Sequence, residues 1–179
     1  MKTPLTYGFL MAIAGAVLAI SLYLLGYHSD ASKFGTGQML GMIGVLAIGI
    51  TCITLGIKAR RAEVPARESF SYGRALKAGM MIALFASLLG IVTNFAYAKF
   101  INPGISDVIV QAEIAKLEAK GLSGAQLEGA EKMIRAMTGP VAYTVMGCLG
   151  GLLFGTLISL VAAAFLKRPA MADGPPLVG

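Results

Sequence analysis

The sequence predicts an all-α, polytopic membrane protein with four transmembrane helices and a short helical outer loop. Three observations carry that expectation. Hydrophobic residues fill 56% of the 179 positions and charged residues 13%, about half the charged share of an ordinary soluble domain. Four uncharged runs, residues 3–27, 34–57, 78–98 and 136–166, each exceed 20 residues. At ~1.5 Å per residue even the shortest spans the ~30 Å of a hydrocarbon core. Finally, the runs are apolar on every side rather than alternating, which argues against a barrel, and only a helix satisfies its own backbone in lipid.

The expected spans are about 4–27, 34–57, 78–98 and 139–166, forming one domain over residues 1–168. The first run is read as a retained helix rather than a leader. It is longer than an ordinary leader core, and no small-x-small site closes it before Tyr27, His28 and Ser29. Residues 169–179, rich in Pro and Gly without a period, are expected to be a disordered tail.

Orientation follows from the distribution of bases. Lys2, then Lys58, Arg60, Arg61, Arg67, Arg74 and Lys77, then Lys167 and Arg168 fall on one side of the four spans. The other side holds Lys33 and a longer loop in which Lys99, Lys116, Lys120, Lys132 and Arg135 are balanced by acids. The positive-inside rule places both termini in the cytoplasm. The formal net charge of +6 is scattered over run ends instead of gathered on a stripe, so nucleic acid is not an expected partner.

Within the outer loop, 99–135, the Asn102-Pro103-Gly104 turn ends the third span. A helix is then predicted with Ile105, Val108, Ala112 and Ala115 on its apolar face, stopped at Gly121. Ser123 with Gln126 reads as a capping box opening a second helix. Leu127, Ala130, Ile134 and Met137 would form its apolar face, opposite Glu128, Glu131, Lys132 and Arg135. So short a pair needs support from the membrane surface, the mouth of the bundle or another protein.

Small residues mark the expected helix contacts. Gly147, Gly151, Gly155, Ser159 and Ala163 recur at a spacing of four in the last run, and Gly79, Ala83 and Ser87 do so in the third. Helices in lipid gain little from hydrophobic burial against one another, so close van der Waals approach along such ridges drives their association. The ridge serves either packing within the chain or a subunit interface.

Candidate chemistry is sparse. No Asp, Glu, Lys or Arg lies within the four runs, which removes the usual carboxylate relay of a proton-coupled carrier. Asn94 is the most polar deep side chain and is expected to find an interhelical hydrogen bond or an interfacial position. His28, the lone histidine, stands two residues before Asp30, a weak acid/base pair with no second ligand for a metal. Tyr7, Tyr23, Tyr27, Tyr97 and Tyr143 lie near span ends as interfacial anchors. Cys52 and Cys148 differ in depth too much for a disulfide. No nucleotide, metal or redox motif occurs, and no cofactor is expected.

The segments KTPLTYGFLMAIAG, ITLGIKARR, ESFSYGRALKAGMMIAL, FINPGISD, GLSGAQLEGAEK and GTLISLVAAAFLKR together resemble the bacterial integral membrane proteins of domain-of-unknown-function family 4199. The most specific part is Phe70, Tyr72, Gly73, Ala75, Leu76 and Gly79, with Gly56, Ile57 and Arg61 upstream. The resemblance implies four spans, a long loop before the last and a bacterial cytoplasmic (inner) membrane address. It brings no activity and no functional residue.

The sequence thus favours a small structural or regulatory membrane protein acting through helix contacts or as an accessory subunit. Its expected partners are membrane lipids and a second copy of the chain or another membrane protein. A transporter or channel-like subunit for a small neutral or lipidic molecule is the first alternative, and a membrane-bound enzyme with an interfacial site the second. A reporter fused after Arg168 should score as cytoplasmic and a cysteine at Gln111 should label from outside. The reverse pattern would invert the orientation.

Overall fold

The structure, a computed structural model, describes residues 2–170; the tail expected at 169–179 lies almost wholly outside the described residues. Four helices are long and apolar enough to cross a membrane, so the predicted fold class holds. They are α1 (Lys2–Leu24), α2 (Ala31–Ala62), α3 (Tyr72–Ala96), prolonged by a π-helical turn at Tyr97–Ile101, and α6 (Pro140–Leu166). The loop between the third and fourth spans supplies α4 (Ile105–Ala119) and α5 (Ala125–Thr138).

Helix ends differ from the ends of the uncharged runs, for local reasons. α1 stops at Leu24 rather than near Tyr27 because Gly26 takes a left-handed conformation, φ 86°. There the Gly26 N–H donates to Tyr23 O at 2.9 Å and the Tyr27 N–H to Leu22 O at 2.9 Å, the paired bonds of a glycine-stopped helix. Asp30 caps α2, accepting from the Ser32 N–H at 2.9 Å and the Ser32 hydroxyl at 2.7 Å. α2 then runs on past Ile57 through Lys58, Arg60 and Arg61, since charge ends a membrane span without ending a helix. Ser71 caps α3, whose first turns carry Arg74 and Lys77. Of the bases from Lys58 to Lys77, five therefore lie on helix and Arg67 falls in the short turn between α2 and α3.

In that loop, Gly121, φ 87°, ends α4 as expected. The capping box does not form: Gly124, not Ser123, precedes α5, and no side chain caps it. Val110 rather than Ala115 joins the buried face of α4, and Met137 is exposed on α5.

α3 is the hub, packed along α6 and α1, while α2 lies against α1 and touches α3 and α6. The two small-residue ridges meet along the antiparallel α3/α6 seam. A Cβ on Gly79 would stand 2.5 Å from Ser159 Oγ, and one on Gly155 2.5 Å from Ala83 Cβ. The same step continues with Gly151, whose Cβ would lie 3.4 Å from Ser87 Oγ, and Gly147, 3.1 Å from Asn94 Nδ2. Ser159 is fully buried and returns its hydroxyl to Gly155 O at 2.6 Å, so the seam carries no unpaired donor there. Ala163 and Ala75 continue into the core of Ile53, Ile57, Phe70, Ala78 and Ile82. α1 comes equally close to α3, where a Cβ on Gly8 would lie 2.7 Å from Phe85 Cβ.

That core lies at the basic end of the bundle and is closed by a clasp. Phe70 and Arg168 exchange both backbone hydrogen bonds at 2.8 Å, an isolated antiparallel bridge between the α2–α3 turn and the chain leaving α6. The Arg168 guanidinium donates to Val64 O and Pro65 O, each at 3.0 Å. Other bases at this end also have protein partners: Arg60 pairs with Glu63, Arg61 reaches Leu166 O at 3.4 Å, and Arg74 pairs with Glu68 at 2.9 Å. Exposed pairs of this kind contribute little each. The backbone bridge ties the α2–α3 turn to the segment after α6.

Glycine substitutions should separate along the seam. Gly155→Ala should destabilise by about 1–3 kcal/mol through overpacking. Gly151→Ala should cost less than ~1 kcal/mol, and Gly150→Ala, whose Cβ meets nothing within 4 Å, should be neutral or stabilising by about 0.5 kcal/mol. Unfolding midpoints in mild detergent check the order, and equal values at 155 and 150 would reject the seam as the tightest contact.

Candidate functional site

Away from the clasp the bundle opens. The close approaches of α2 to α6 lie at Gly49, whose Cβ would stand 3.0 Å from Ile158, and at Gly155, 3.8 Å from Ile53. Beyond that level the glycines of α2 turn to α1, Gly41 to Leu22 and Gly44 to Leu18. Between the α1/α2 and α3/α6 pairs lies a cavity of about 550 Å³, to which all four spans and α4 contribute. Its size falls within the roughly 300–1,000 Å³ usual for small-molecule sites. Its wall is mostly aliphatic, with His28, Gln38, Thr93, Asn94 and Tyr143 among its few polar side chains and Glu113 at the α4 side.

A polar knot closes the far end. The His28 imidazole and the Tyr97 hydroxyl lie 2.7 Å apart. The Asn102 amide donates to His28 O at 2.8 Å and to the Tyr97 hydroxyl at 3.3 Å. The π turn makes this geometry: the Asn102 N–H reaches back to Tyr97 O at 2.8 Å, and both Tyr97 and Asn102 are buried. Each group is satisfied when neutral His28 accepts at Nδ1 from the Tyr97 hydroxyl, whose oxygen accepts from Asn102. Tyr23 stands edge-on to Tyr97, with ring centroids 6.5 Å apart.

The sequence-nominated residues are thus distributed differently from expectation. Asp30 does not pair with His28 but caps α2, and hydrogen bonds from Ser32 hold its carboxyl below the ordinary range. Tyr97 is a core residue rather than an interfacial anchor. Asn94 makes no interhelical bond; its amide packs over Gly147 and has no hydrogen-bond partner among the described residues. Gln38, overlooked in a glycine-rich run, lines the same cavity and is likewise unpartnered. Cys52 and Cys148 are free. Among the described residues no three His, Cys, Asp or Glu side chains gather as metal ligands.

Four apolar spans around a mostly aliphatic cavity define a helical-bundle membrane protein. The family model described as "Protein of unknown function (DUF4199)" matches residues 6–168, and the chain belongs to that family. No curated protein and no solved structure matches it.

The knot gives a pH signature. Burial pushes the His28 imidazole below its ordinary value of 6.5, so near that pH the folded chain binds fewer protons than the unfolded one. The stabilisation is complete above pH 6.5 and is lost as pH falls below it. The carboxyls of Asp30 and Glu63, both held low, titrate beneath this window. Unfolding temperature in lipid nanodiscs should therefore drop between pH 7.5 and 5.5, and His28→Gln should flatten the profile. An unchanged slope in the variant would remove His28 as its source.

Proposed function

We propose that this is a small structural or regulatory subunit of the bacterial cytoplasmic membrane, with both termini cytoplasmic, that works by contact through its outer hairpin. The observation that carries the reading is α5. None of its residues is buried, and Met133 and Met137 are exposed at 62% and 49%. Helix α4 holds it in place through Ser106 and Thr138, whose hydroxyls are 2.8 Å apart, and through Arg135 and Asp107 at 2.6 Å. Its charges pair along the helix, Lys132 with Glu128 at 2.7 Å and Arg135 with Glu131 at 2.9 Å. An interfacial helix that rests on anionic lipid carries an excess of bases on its polar face; this one is balanced. Flexible exposed methionines on a held, charge-neutral helix suit a protein surface better. The gathering of Lys58, Arg60, Arg61, Arg67, Arg74 and Lys77 at the other end supports the orientation.

A second reading, a subunit that holds or moves a small neutral or lipidic molecule, is favoured by the cavity. A photo-crosslinking residue at Met133 or Met137 in intact cells should give one discrete protein adduct, and Lys132→Glu with Arg135→Glu should abolish it. The same residue at Leu149, exposed on α6, should give only lipid adducts. Lipid adducts alone at all three positions would overturn the contact reading.

A further inference from the structure

We infer that the cavity between the helix pairs is a binding site for a single-chain amphiphile with an uncharged, oxygen-bearing head, its chain lying along the bundle axis. The inference stands on the cavity alone, whatever docks on α5 and whether or not the occupant is carried across.

The polar groups of the cavity are tiered. Gln38 lies about two turns inward of the start of α2 at Ala31, and Asn94 about two turns inward of Ile101. The two amides therefore share one depth, across from Gly147, whose missing side chain leaves room for Asn94. Asn94 is half-buried and Gln38 exposed, and neither has a partner among the described residues; beside an aliphatic wall such amides gain from a polar occupant. Together they offer donors and acceptors to one hydroxyl or carbonyl.

Below that tier the wall turns aliphatic, with Leu18, Val45, Leu46 and Ile158. The run from Gln38 to the floor at Gly49 is about 16 Å at ~1.5 Å per residue, a length for an alkyl chain. Two glycines leave the wall open: a Cβ on Gly15 or Gly150 would meet nothing within 4 Å, and both line the cavity.

The lining also selects charge. No Lys or Arg lines the cavity among the described residues, so an anionic head has no counter-ion. Glu113 already holds Lys116 at 2.7 Å, so a cationic head would compete with an existing ion pair. His28 is engaged with Tyr97. A neutral head costs least to desolvate here.

The test uses the full chain in phosphatidylcholine nanodiscs with a diazirine-bearing hexadecanol. Labelling should saturate, map to peptides around Gln38, Asn94 and Phe154, and be competed by hexadecanol at least tenfold better than by hexadecyl sulfate or hexadecyltrimethylammonium. Gly15→Phe and Gly150→Phe, which fill the space without a backbone clash, should cut labelling at least tenfold with no fall in unfolding temperature. Asn94→Leu and Gln38→Leu should each weaken it about three- to tenfold, the loss of one hydrogen bond. Non-saturable labelling, or labelling unaffected by both phenylalanine variants, would overturn the site. Equal competition by hexadecyl sulfate would overturn the uncharged head.

Discussion

The whole bundle depends on how closely two backbones approach along the α3/α6 seam. In water, apolar helices are driven together; in lipid that force is absent, and contact must come from packing itself. Gly79, Ala83 and Ser87 against Ser159, Gly155 and Gly151 provide it, because each side offers a small group where the other would otherwise place a branched one. α1 reaches α3 by the same means at Gly8, and α2 joins at Gly56, against Ile82 and Tyr7, beside its larger Ile53 and Ile57. The tight half of the protein is thus the half rich in small residues on α3. Where α2 instead turns its glycines to α1, the pairs part and the cavity begins.

Much of this was legible in the sequence because the membrane makes its demands locally. Long uncharged runs announce the spans, and the four-residue spacing from Gly147 to Ala163 announces the ridge. The depth of contact along that ridge was not legible, since Gly151 and Gly155 look alike until the partner residue is known: Ser87 for one, Ala83 for the other. Helix ends are not the ends of the uncharged runs: α2 runs on through the charges after Ile57, and α1 stops early, at Gly26. The latter had a signal: a glycine just after an apolar run and shortly before Asp30, itself an acceptor fit to start the next helix.

The polar knot was harder. His28, Tyr97 and Asn102 lie far apart in the chain, and a search among sequence neighbours leads from His28 to Asp30. Topology could have narrowed it, since the turn after the first span and the Asn102-Pro103-Gly104 turn after the third lie on the same side. What no spacing shows is that the chain winds one residue wider at Tyr97–Ile101, so that Asn102 comes back under Tyr97. Gln38 was missed for a simpler reason: a single amide among glycines and aliphatics signals nothing until a second amide, Asn94, is found at its level.

That wide turn gives the chain slack in one place. A π turn is an α-helix holding one residue more than its pitch admits, so losing any residue from 98–101 would let the backbone relax into ordinary helix with its hydrogen bonds intact. Since the extra residue is taken up inside the turn, its loss would leave the chain beyond at nearly the same orientation about the axis. Asn102 would then stand four residues after Tyr97 instead of five, still able to donate its N–H to Tyr97 O and to stay beside His28. Chain length is thus loosely held at this point while identity is not: Ala98 is buried in one cluster with Phe34, Tyr97 and Ile105.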